Sequence, residues 1–235
     1  MKTKIYLACV RPLQDDEVFG RLYAEASKER RDKIDRYRFQ KDKLLSLGAD
    51  ALLRHALREA GYDKDPTGQL PVIAYGQHGK PWFPALPDFH FNWSHSGEYV
   101  MLAVSDAEVG CDIEQIRPVR LKIPMHVFDF REYERYAACA EEERDVLFFR
   151  YWVLKESFMK ATGRGLALSP SSFRIELDPP IRVIEDGAQQ DYGFLEGSSI
   201  PGYRYAACRA GGLEEAPTEF VDLGALAKIR EGNLP

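Results

Sequence analysis

Two carboxylates separated by a single residue, Asp112 and Glu114, offer the clearest chemistry in this 235-residue chain. Residues at i and i+2 of a β-strand project to the same face, so the two side chains would lie together. Neighbouring carboxylates raise each other's pKa or share a cation. A solvated edge strand is the simpler interpretation, but the apolar neighbours Val109, Cys111 and Ile113 favour a buried strand. Paired oxygen ligands favour Mg²⁺, which leaves coordination positions open for a substrate phosphate.

A second charged pair, Glu156 and Lys160, has the i,i+4 spacing that places two side chains on one face of a helix. The segment Tyr151–Leu166 around it has helical periodicity and runs into Gly163-Arg164-Gly165, where glycine permits a sharp exit. An apolar stripe on the opposite side of this helix comprises Leu147, Tyr151, Leu154 and Phe158. In isolation the pair is most simply a solvated ion pair, although a charge on a mostly apolar helix is costly without a partner.

Groups suited to binding an anion occur at two further places. Ser94 and His95 lie in a predicted polar turn, Ser94–Gly97, whose hydroxyl, imidazole and backbone N–H groups can all contact phosphate. A histidine in a turn is more often a plain surface residue, and a Ser–His hydrolase is not supported because no GxSxG elbow occurs. Lys80 lies between a glycine and a proline, in a stiff loop where the backbone can approach a ligand closely.

A basic segment, residues 28–43, contains eight Lys or Arg residues against four Asp or Glu residues. Such a run is usually a solvated surface. Because the chain as a whole has a net charge of −5, the local excess favours one localised anionic ligand and argues against wholesale nucleic-acid binding.

The elements that must position these groups follow an order typical of an α+β fold, with helices and antiparallel strands segregated along the chain. The predicted strands are Ile5–Val10, Phe89–Trp93, Tyr99–Val104, Val109–Ile113, Phe173–Leu177, Ile181–Ile184, Tyr192–Leu195 and Tyr203–Cys208, with a possible short one at Val72–Tyr75. Predicted helices, besides the one already described, are Asp15–Ser27, Leu44–Ala60 and Asp129–Cys139, with a short one after Pro217. We expect Tyr99–Val104 and Val109–Ile113 to pair as a hairpin. Both halves of the chain place a helix before strands, but no residue-level repeat is visible.

The cysteines and the apolar runs indicate in which cellular compartment to expect the protein. Four widely separated cysteines without metal-binding spacing predict reduced thiols in a cytoplasmic protein. No apolar run approaches the ~20 residues of a membrane helix. The N-terminal apolar run is too short to predict a signal peptide.

Five motifs occur in a fixed order: the basic segment leading to Lys41-Asp42, GKP at 79–81, FNWSHSG at 91–97, VGCDIE at 109–114 and WVLKESFMKATGRGL at 152–166. Each alone is weak. Together, over most of the chain up to about Cys208, they resemble the 4′-phosphopantetheinyl transferases of the broad, surfactin-synthetase-activating type.

The resemblance implies a pseudo-dimeric α+β monomer with two similar halves, residues 1–106 on the nucleotide side and residues 107–235 carrying the metal-binding carboxylates. It implies an enzyme that uses Mg²⁺ and coenzyme A. Such an enzyme moves 4′-phosphopantetheine to a serine of an apo acyl or peptidyl carrier protein and releases adenosine 3′,5′-bisphosphate. Nonribosomal peptide or polyketide biosynthesis would be its setting, and neither a nucleic acid nor a membrane would be its partner.

The site residues that the resemblance implies fall into three groups. Asp112, Glu114 and Glu156 match the Mg²⁺ carboxylates. Lys160 matches the lysine beside the reacting phosphate. Contacts to coenzyme A match Arg30, Lys33, Ser46, Lys80, Ser94 and His95, with His95 towards the 3′-phosphate. Glu156, directly or through a metal-bound water, would take the serine proton, and the carrier protein would dock near Pro118–Ala138.

Two other functions remain open from the sequence. The same three carboxylates would suit a Mg²⁺-dependent nucleotide phosphohydrolase. A non-catalytic module that binds coenzyme A or a carrier protein would also need an anion-binding cleft.

Overall fold

The computed structural model describes residues 2–62, 71–120, 122–213 and 215–228. Its strands are β1 Lys4–Cys9, β2 Ala74–Tyr75, β3 Pro81–Trp82, β4 His90–Ser96, β5 Tyr99–Ser105, β6 Val109–Gln115, β7 Phe173–Glu176, β8 Arg182–Glu185, β9 Ala188–Gln189, β10 Tyr192–Gly197, β11 Tyr203–Ala210 and β12 Thr218–Phe220. Its α-helices are α1 Asp16–Glu25, α2 Lys28–Arg36, α3 Gln40–Glu59, α4 Pro124–Val127, α5 Phe130–Ala138, α6 Arg144–Ala161 and α7 Leu223–Lys228. The α+β class predicted from the sequence is confirmed.

One three-stranded topology occurs twice. In the first sheet, β1 pairs antiparallel with β5 and β5 pairs antiparallel with β4, while α3 lies between β1 and β4 in the chain. In the second sheet, β6 pairs with β11 and β11 with β10 in the same way, with α6 in the position of α3. The repeat in topology confirms the pseudo-dimeric arrangement, although the sequence shows no residue-level repeat.

The two sheets pack face to face and each is covered by a helix, which gives four layers. Core residues such as Leu7 and Met101 of the first sheet meet Cys111 and Ile113 of the second. Tyr6, between two residues that face the second sheet, points instead into the core under α3. A strand with a core on each side is apolar at every position, which explains the unbroken apolar run of β1.

Local sequence explains where several helices begin. Asp15 caps α1 by accepting from the N–H groups of Glu17 and Val18. Asp129 and Glu132 form a capping box at the start of α5. Each cap satisfies amides that have no partner inside the helix, so both helix starts are fixed by residues adjacent in the sequence.

Three features differ from the sequence-based expectation. The stretch Ser94–Ser96 is the end of β4 rather than a turn, and the chain turns at Gly97, whose φ of 58° favours glycine. Strand β6 does not form a hairpin with β5 but pairs with β11. A short helix, α4, occupies part of the expected loop before Asp129. The expectations followed local residue preference. For β6 it is the pairing with β11, distant in the sequence, that decided the outcome.

The segment near the C-terminus returns to the first sheet. Strand β12 pairs in parallel with β1, and α7 follows it. The short helix expected after Pro217 is therefore confirmed, while its sheet partner was not foreseen. The predicted second half, residues 107–235, thus contains a strand that completes the sheet of the first half.

Candidate active site

The carboxylates of β6 meet a polar stripe on β4, although the two strands share no backbone ladder. Ser94 donates its hydroxyl to Oδ1 of Asp112 at 2.7 Å. Ser96 donates to Oε2 of Glu114 at 2.6 Å and accepts from the N–H of Gln115 at 3.2 Å. Ser94 and Ser96, two residues apart on β4, thus hold Asp112 and Glu114, two residues apart on β6. Asp112 and Glu114 share one face of a largely buried strand, as the sequence predicts.

Helix α6 brings Lys160 against this pair of strands. Its ammonium donates to Oδ1 of Asp112 at 2.7 Å and to the Ser94 hydroxyl at 3.1 Å. The close approach requires Gly110, because a Cβ there would lie 2.1 Å from the carbonyl oxygen of Ser157 and 2.3 Å from the backbone nitrogen of Ala161. Glycine therefore lets the end of α6 lie directly on β6.

The helix itself is more buried than the sequence suggests. Tyr151, Leu154 and Phe158 of the predicted stripe are buried, but so are Phe149 and Ser157 on other sides. The expected division into a buried back and a partly aromatic front is therefore too simple. Only a narrow opening is left for Glu156 and Lys160, which are both half-buried.

The surroundings of Glu114 and Glu156 disfavour their negative charge. Burial raises the pKa of Glu156, and the charges of Asp112 and Glu114 raise it further while Lys160 opposes them. Burial also raises the pKa of Glu114, against the hydrogen bond from Ser96. Oδ2 of Asp112 is buried without a hydrogen-bond partner among the described residues. Concentrated, incompletely neutralised negative charge of this kind is suited to a hard divalent cation.

The three carboxylates are not already arranged as a compact ligand set. Within the described ranges, the one group of three possible ligand atoms within 4.8 Å of one another is His55, Glu59 and Glu219. That group lies on α3 and β12, and the ammonium of Lys4 binds Glu59 at 2.6 Å. Because Lys4 already neutralises Glu59, we interpret this group as an ion-pair cluster and not as a metal site. Binding one cation by Asp112, Glu114 and Glu156 would require their side chains to move.

Beyond Lys160 opens a cationic cleft of about 290 Å³. Lys33 of α2, Lys80 and Lys160 all line it, so the cleft joins three of the predicted site residues. The ammonium of Lys80 donates to the carbonyl oxygen of Ala161 at 2.6 Å and also binds Glu108. That contact fixes the GKP loop against the end of α6. Residues of the same cleft that the sequence did not single out are Tyr75, His78, Asn92 and Trp93.

A second cavity, of about 410 Å³, adjoins the first because both are lined by Lys33 and Tyr75. Arg30 lines it, and the Nε of Arg30 lies 3.2 Å from Oδ1 of the buried Asp50. Nη2 of Arg30 is buried without a hydrogen-bond partner among the described residues, and its guanidinium lies over the ring of Trp93. The basic segment therefore supplies two charges, Arg30 and Lys33, to one continuous groove.

The remaining predicted contacts lie outside the lining of these two cavities. Ser46, on α3, has a buried hydroxyl without a hydrogen-bond partner among the described residues. His95 is exposed; partial desolvation lowers its pKa, and the nearby Lys160 lowers it further, while Asp42 and Asp112 oppose the effect. Ser94 contacts the carboxylate of Asp112 and the ammonium of Lys160 and does not line either cavity. The geometry thus gathers most of the site, but gives Ser94 a partner that the sequence did not predict.

Comparison with known families adds a second line of evidence. The N-terminal model of 4′-phosphopantetheinyl transferases matches residues 14–107. The model of the 4′-phosphopantetheinyl transferase superfamily matches residues 108–208. A 4′-phosphopantetheinyl transferase of Bacillus subtilis is 38% identical over 169 residues, 71% of this chain and 73% of its own. This chain belongs to the 4′-phosphopantetheinyl transferases.

Other relatives cover more of the chain. The 4′-phosphopantetheinyl transferase psf-1 of Bacillus pumilus is 37% identical over 78% of this chain and 76% of its own. The 4′-phosphopantetheinyl transferase Sfp of Bacillus subtilis strain 168 is 34% identical over 85% of this chain and 88% of its own. The family suggested by five short motifs is therefore confirmed by similarity along most of the sequence. None of the helices within the described ranges is long and apolar enough to span a membrane.

Proposed function

We propose that this phosphopantetheinyl transferase moves 4′-phosphopantetheine from coenzyme A to a serine of an apo acyl or peptidyl carrier protein. One observation carries the proposal. Lys160, at the inner end of a cationic cleft, binds the buried carboxylate of Asp112 one helical turn beyond Glu156. A diphosphate in the cleft would thus have its reacting phosphorus beside a cation and a carboxylate.

The donor set fits Mg²⁺. Asp112, Glu114 and Glu156 would hold the ion. Oδ2 of Asp112 has no hydrogen-bond partner among the described residues, and the two glutamates carry negative charge that neighbouring carboxylates disfavour. When bound, the ion would neutralise charge on the coenzyme A diphosphate. Mg²⁺ with few protein ligands keeps positions for phosphate oxygens, so no further protein ligand is needed.

The groove of two adjoining cavities would hold the nucleotide portion of coenzyme A. Arg30, Lys33 and Lys80 line it and would contact its phosphates as charge-assisted hydrogen-bond donors. His95, close to Lys160, would contact the 3′-phosphate. Ser46 would contribute its hydroxyl, which has no hydrogen-bond partner in the part of the chain that the structure describes, and Ser94 would act mainly by holding Asp112 and Lys160.

In the transfer, the serine oxygen of the carrier forms a bond to the phosphorus that bears pantetheine. The bond from that phosphorus to the bridging oxygen breaks, and adenosine 3′,5′-bisphosphate leaves with the electron pair. Glu156, directly or through a water, would receive the serine proton, and its raised pKa supports this role. Lys160 balances charge on the transferring phosphoryl group.

The carrier would dock on an exposed apolar surface formed by Ile123, Met125, Phe130 and Tyr133. These four side chains are 41%, 62%, 73% and 36% exposed and belong to α4, α5 and the residue before α4. The segment follows directly after β6, which carries the carboxylates. A patch of this kind on a soluble domain commonly marks a protein-binding surface.

The two halves would divide the work, with residues 1–106 holding the nucleotide and residues 107–235 supplying the carboxylates and the docking surface. We further propose a cytoplasmic monomer, since the doubled topology already provides within one chain the cleft between two similar units.

The test is to incubate the protein with coenzyme A, Mg²⁺ and an apo carrier protein, and to weigh the carrier by mass spectrometry. We expect a carrier heavier by one phosphopantetheine, and an unchanged mass for a carrier whose acceptor serine is replaced by alanine. Free bisphosphate with an unmodified carrier would instead indicate a phosphohydrolase. Coenzyme A bound without any product would indicate a non-catalytic module.

A further inference from the structure

Lys155 and Glu132, two residues that the proposed chemistry does not use, form a completely buried ion pair. Their side chains are 0% and 1% exposed, and Nζ of Lys155 lies 2.8 Å from Oε2 of Glu132. The ammonium also donates to the carbonyl oxygens of Pro170 at 2.8 Å and Phe173 at 2.7 Å. All three N–H donors of the ammonium therefore have acceptors.

The carboxylate of Glu132 is equally occupied. Oε1 accepts from the N–H of Ile175, on β7, at 2.7 Å, and Oε2 accepts from the N–H of Asp129, at the start of α5, at 2.8 Å. One carboxylate thus joins α5, β7 and α6. Removing a single partner would leave the other charge buried without its counter-charge, which is strongly destabilising.

Lys155 immediately precedes Glu156, but it faces a different direction. One residue along an α-helix turns the side chain by about 100°, and Lys155 accordingly contacts Glu132 and Phe173 rather than Asp112. It is fully enclosed and cannot touch a substrate in the cleft. Any effect of Lys155 on the reaction must act through the position of α6.

Glu132 has a corresponding relation to the docking surface. It lies between Phe130 and Tyr133, which are exposed on the outside of α5, while its own side chain points inward. The same carboxylate therefore holds the helix that presents the apolar docking surface and the helix that carries Glu156.

We propose that Lys155 and Glu132 are positioning residues that fix the acceptor-docking surface relative to Glu156. The inference rests on the proposed function. Without the pair, the docking surface and the helix that carries Glu156 would still form. A docked carrier serine, however, would no longer be held at the geometry needed for attack. A displacement of about 1 Å in such an arrangement can reduce the rate by about 10²-fold.

The test uses the full chain and the near-isosteric variant Glu132→Gln, with Lys155→Met as a second variant. Transfer is measured against carrier concentration at a temperature well below each variant's own unfolding midpoint, and coenzyme A affinity is measured by calorimetry. We expect kcat/KM for the carrier to fall about 10- to 100-fold, with coenzyme A affinity changed by less than about threefold. Glu141→Gln, an exposed change in the connection between α5 and α6, should leave all these values unaltered.

Several outcomes would overturn the proposal. Unchanged kcat and KM in a folded Glu132→Gln protein would mean that the pair contributes only to stability. A Glu132→Gln protein without a cooperative unfolding transition would lead to the same conclusion. Coenzyme A affinity that falls as far as kcat/KM would mean that the pair orders the donor site instead. A wild-type protein that never modifies the carrier would defeat the proposed function itself, and calorimetry would still show whether Glu132→Gln disturbs the donor site.

Discussion

The ammonium of Lys160 lies 2.7 Å from Oδ1 of Asp112, and this contact joins the C-terminal turn of α6 to the middle of β6. It sets the distance between a helix and a strand that belong to one half of the molecule, while Ser94 ties the same carboxylate to the other half. A single carboxylate is therefore held from both halves.

Asp112→Asn should fold but lose Mg²⁺-dependent transfer. The amide removes the charge that would bind the cation and pair with Lys160, so we expect kcat to fall by about 10²-fold or more. Far-ultraviolet circular dichroism measures the fold, and the mass of the carrier protein measures transfer. Asp191→Asn, an exposed site far along the chain, is the matched control, and wild-type turnover by Asp112→Asn would remove Asp112 from the metal site.

Gly110→Ala should weaken the whole fold and the site together. The added methyl group would overlap backbone atoms of Ser157 and Ala161, which cannot move independently of α6. We expect a loss of about 1–3 kcal/mol in the free energy of unfolding, measured by urea denaturation, and reduced transfer in the folded protein. Gly20→Ala, in α1 with no atom within 4 Å of the new methyl, should be neutral or stabilising by up to about 1 kcal/mol. Equal stability of the two variants would contradict the close packing.

Ser96→Ala should raise the Mg²⁺ concentration needed for half-maximal activity. The hydroxyl holds Oε2 of Glu114 and accepts from the N–H of Gln115, so its loss frees the carboxylate and costs about 1 kcal/mol of stability. A titration of transfer activity with Mg²⁺ checks this. An unchanged half-maximal concentration would show that Glu114 does not depend on Ser96 for its position.

His95→Gln should weaken coenzyme A binding more than it slows transfer at saturation. Because the pKa of His95 is lowered, its ring is neutral near pH 7 and gains charge only as the pH falls below that lowered value. Wild-type affinity measured by calorimetry should therefore strengthen, relative to His95→Gln, as the pH falls from about 7 to about 5. Parallel pH profiles of the two proteins would argue against a contact between His95 and phosphate.

Asp106→Asn should lower stability in a pH-dependent manner. The hydrogen bond from Arg209 lowers the pKa of Asp106 from 3.8 to about 2. A lowered folded-state pKa contributes stability above the unfolded value, and that contribution is lost as the pH falls through about 2. Since the side chain is 41% exposed, we expect a difference of only about 0.5–1 kcal/mol. Urea denaturation at about pH 7 and about pH 3 should show the difference narrowing; a constant difference would contradict this origin.

The sequence predicted the site better than it predicted the connections between strands. The i,i+2 and i,i+4 spacings of Asp112, Glu114, Glu156 and Lys160 depend only on local geometry, so their shared faces followed from the element type. The partner of β6 is β11, about ninety residues later, and no local pattern specifies such a pairing. Ser94 was expected to contact phosphate. Its hydrogen bond to Asp112 could not be predicted, because that contact depends on where β6 lies.

Buried charge was the other feature that escaped prediction. Nothing local marks Lys155 or Asp50 as buried, since lysine and aspartate are mostly exposed. Only tertiary structure brings Glu132 to Lys155 and Arg30 to Asp50. Tyr75 and His78 adjoin the GKP motif closely enough for that proximity to have suggested them. Trp93 lies within the FNWSHSG motif, directly before Ser94, so its position could also have suggested it.

Strand β12 covers the edge of β1 that lies opposite β5. During synthesis on the ribosome, β1 can pair with β5 early, yet its other edge stays open until residues 218–220 have emerged. An open strand edge is a template for pairing with another chain. The nascent chain would thus carry one open edge on β1 over that interval, and pairing with β12 closes this edge to other chains.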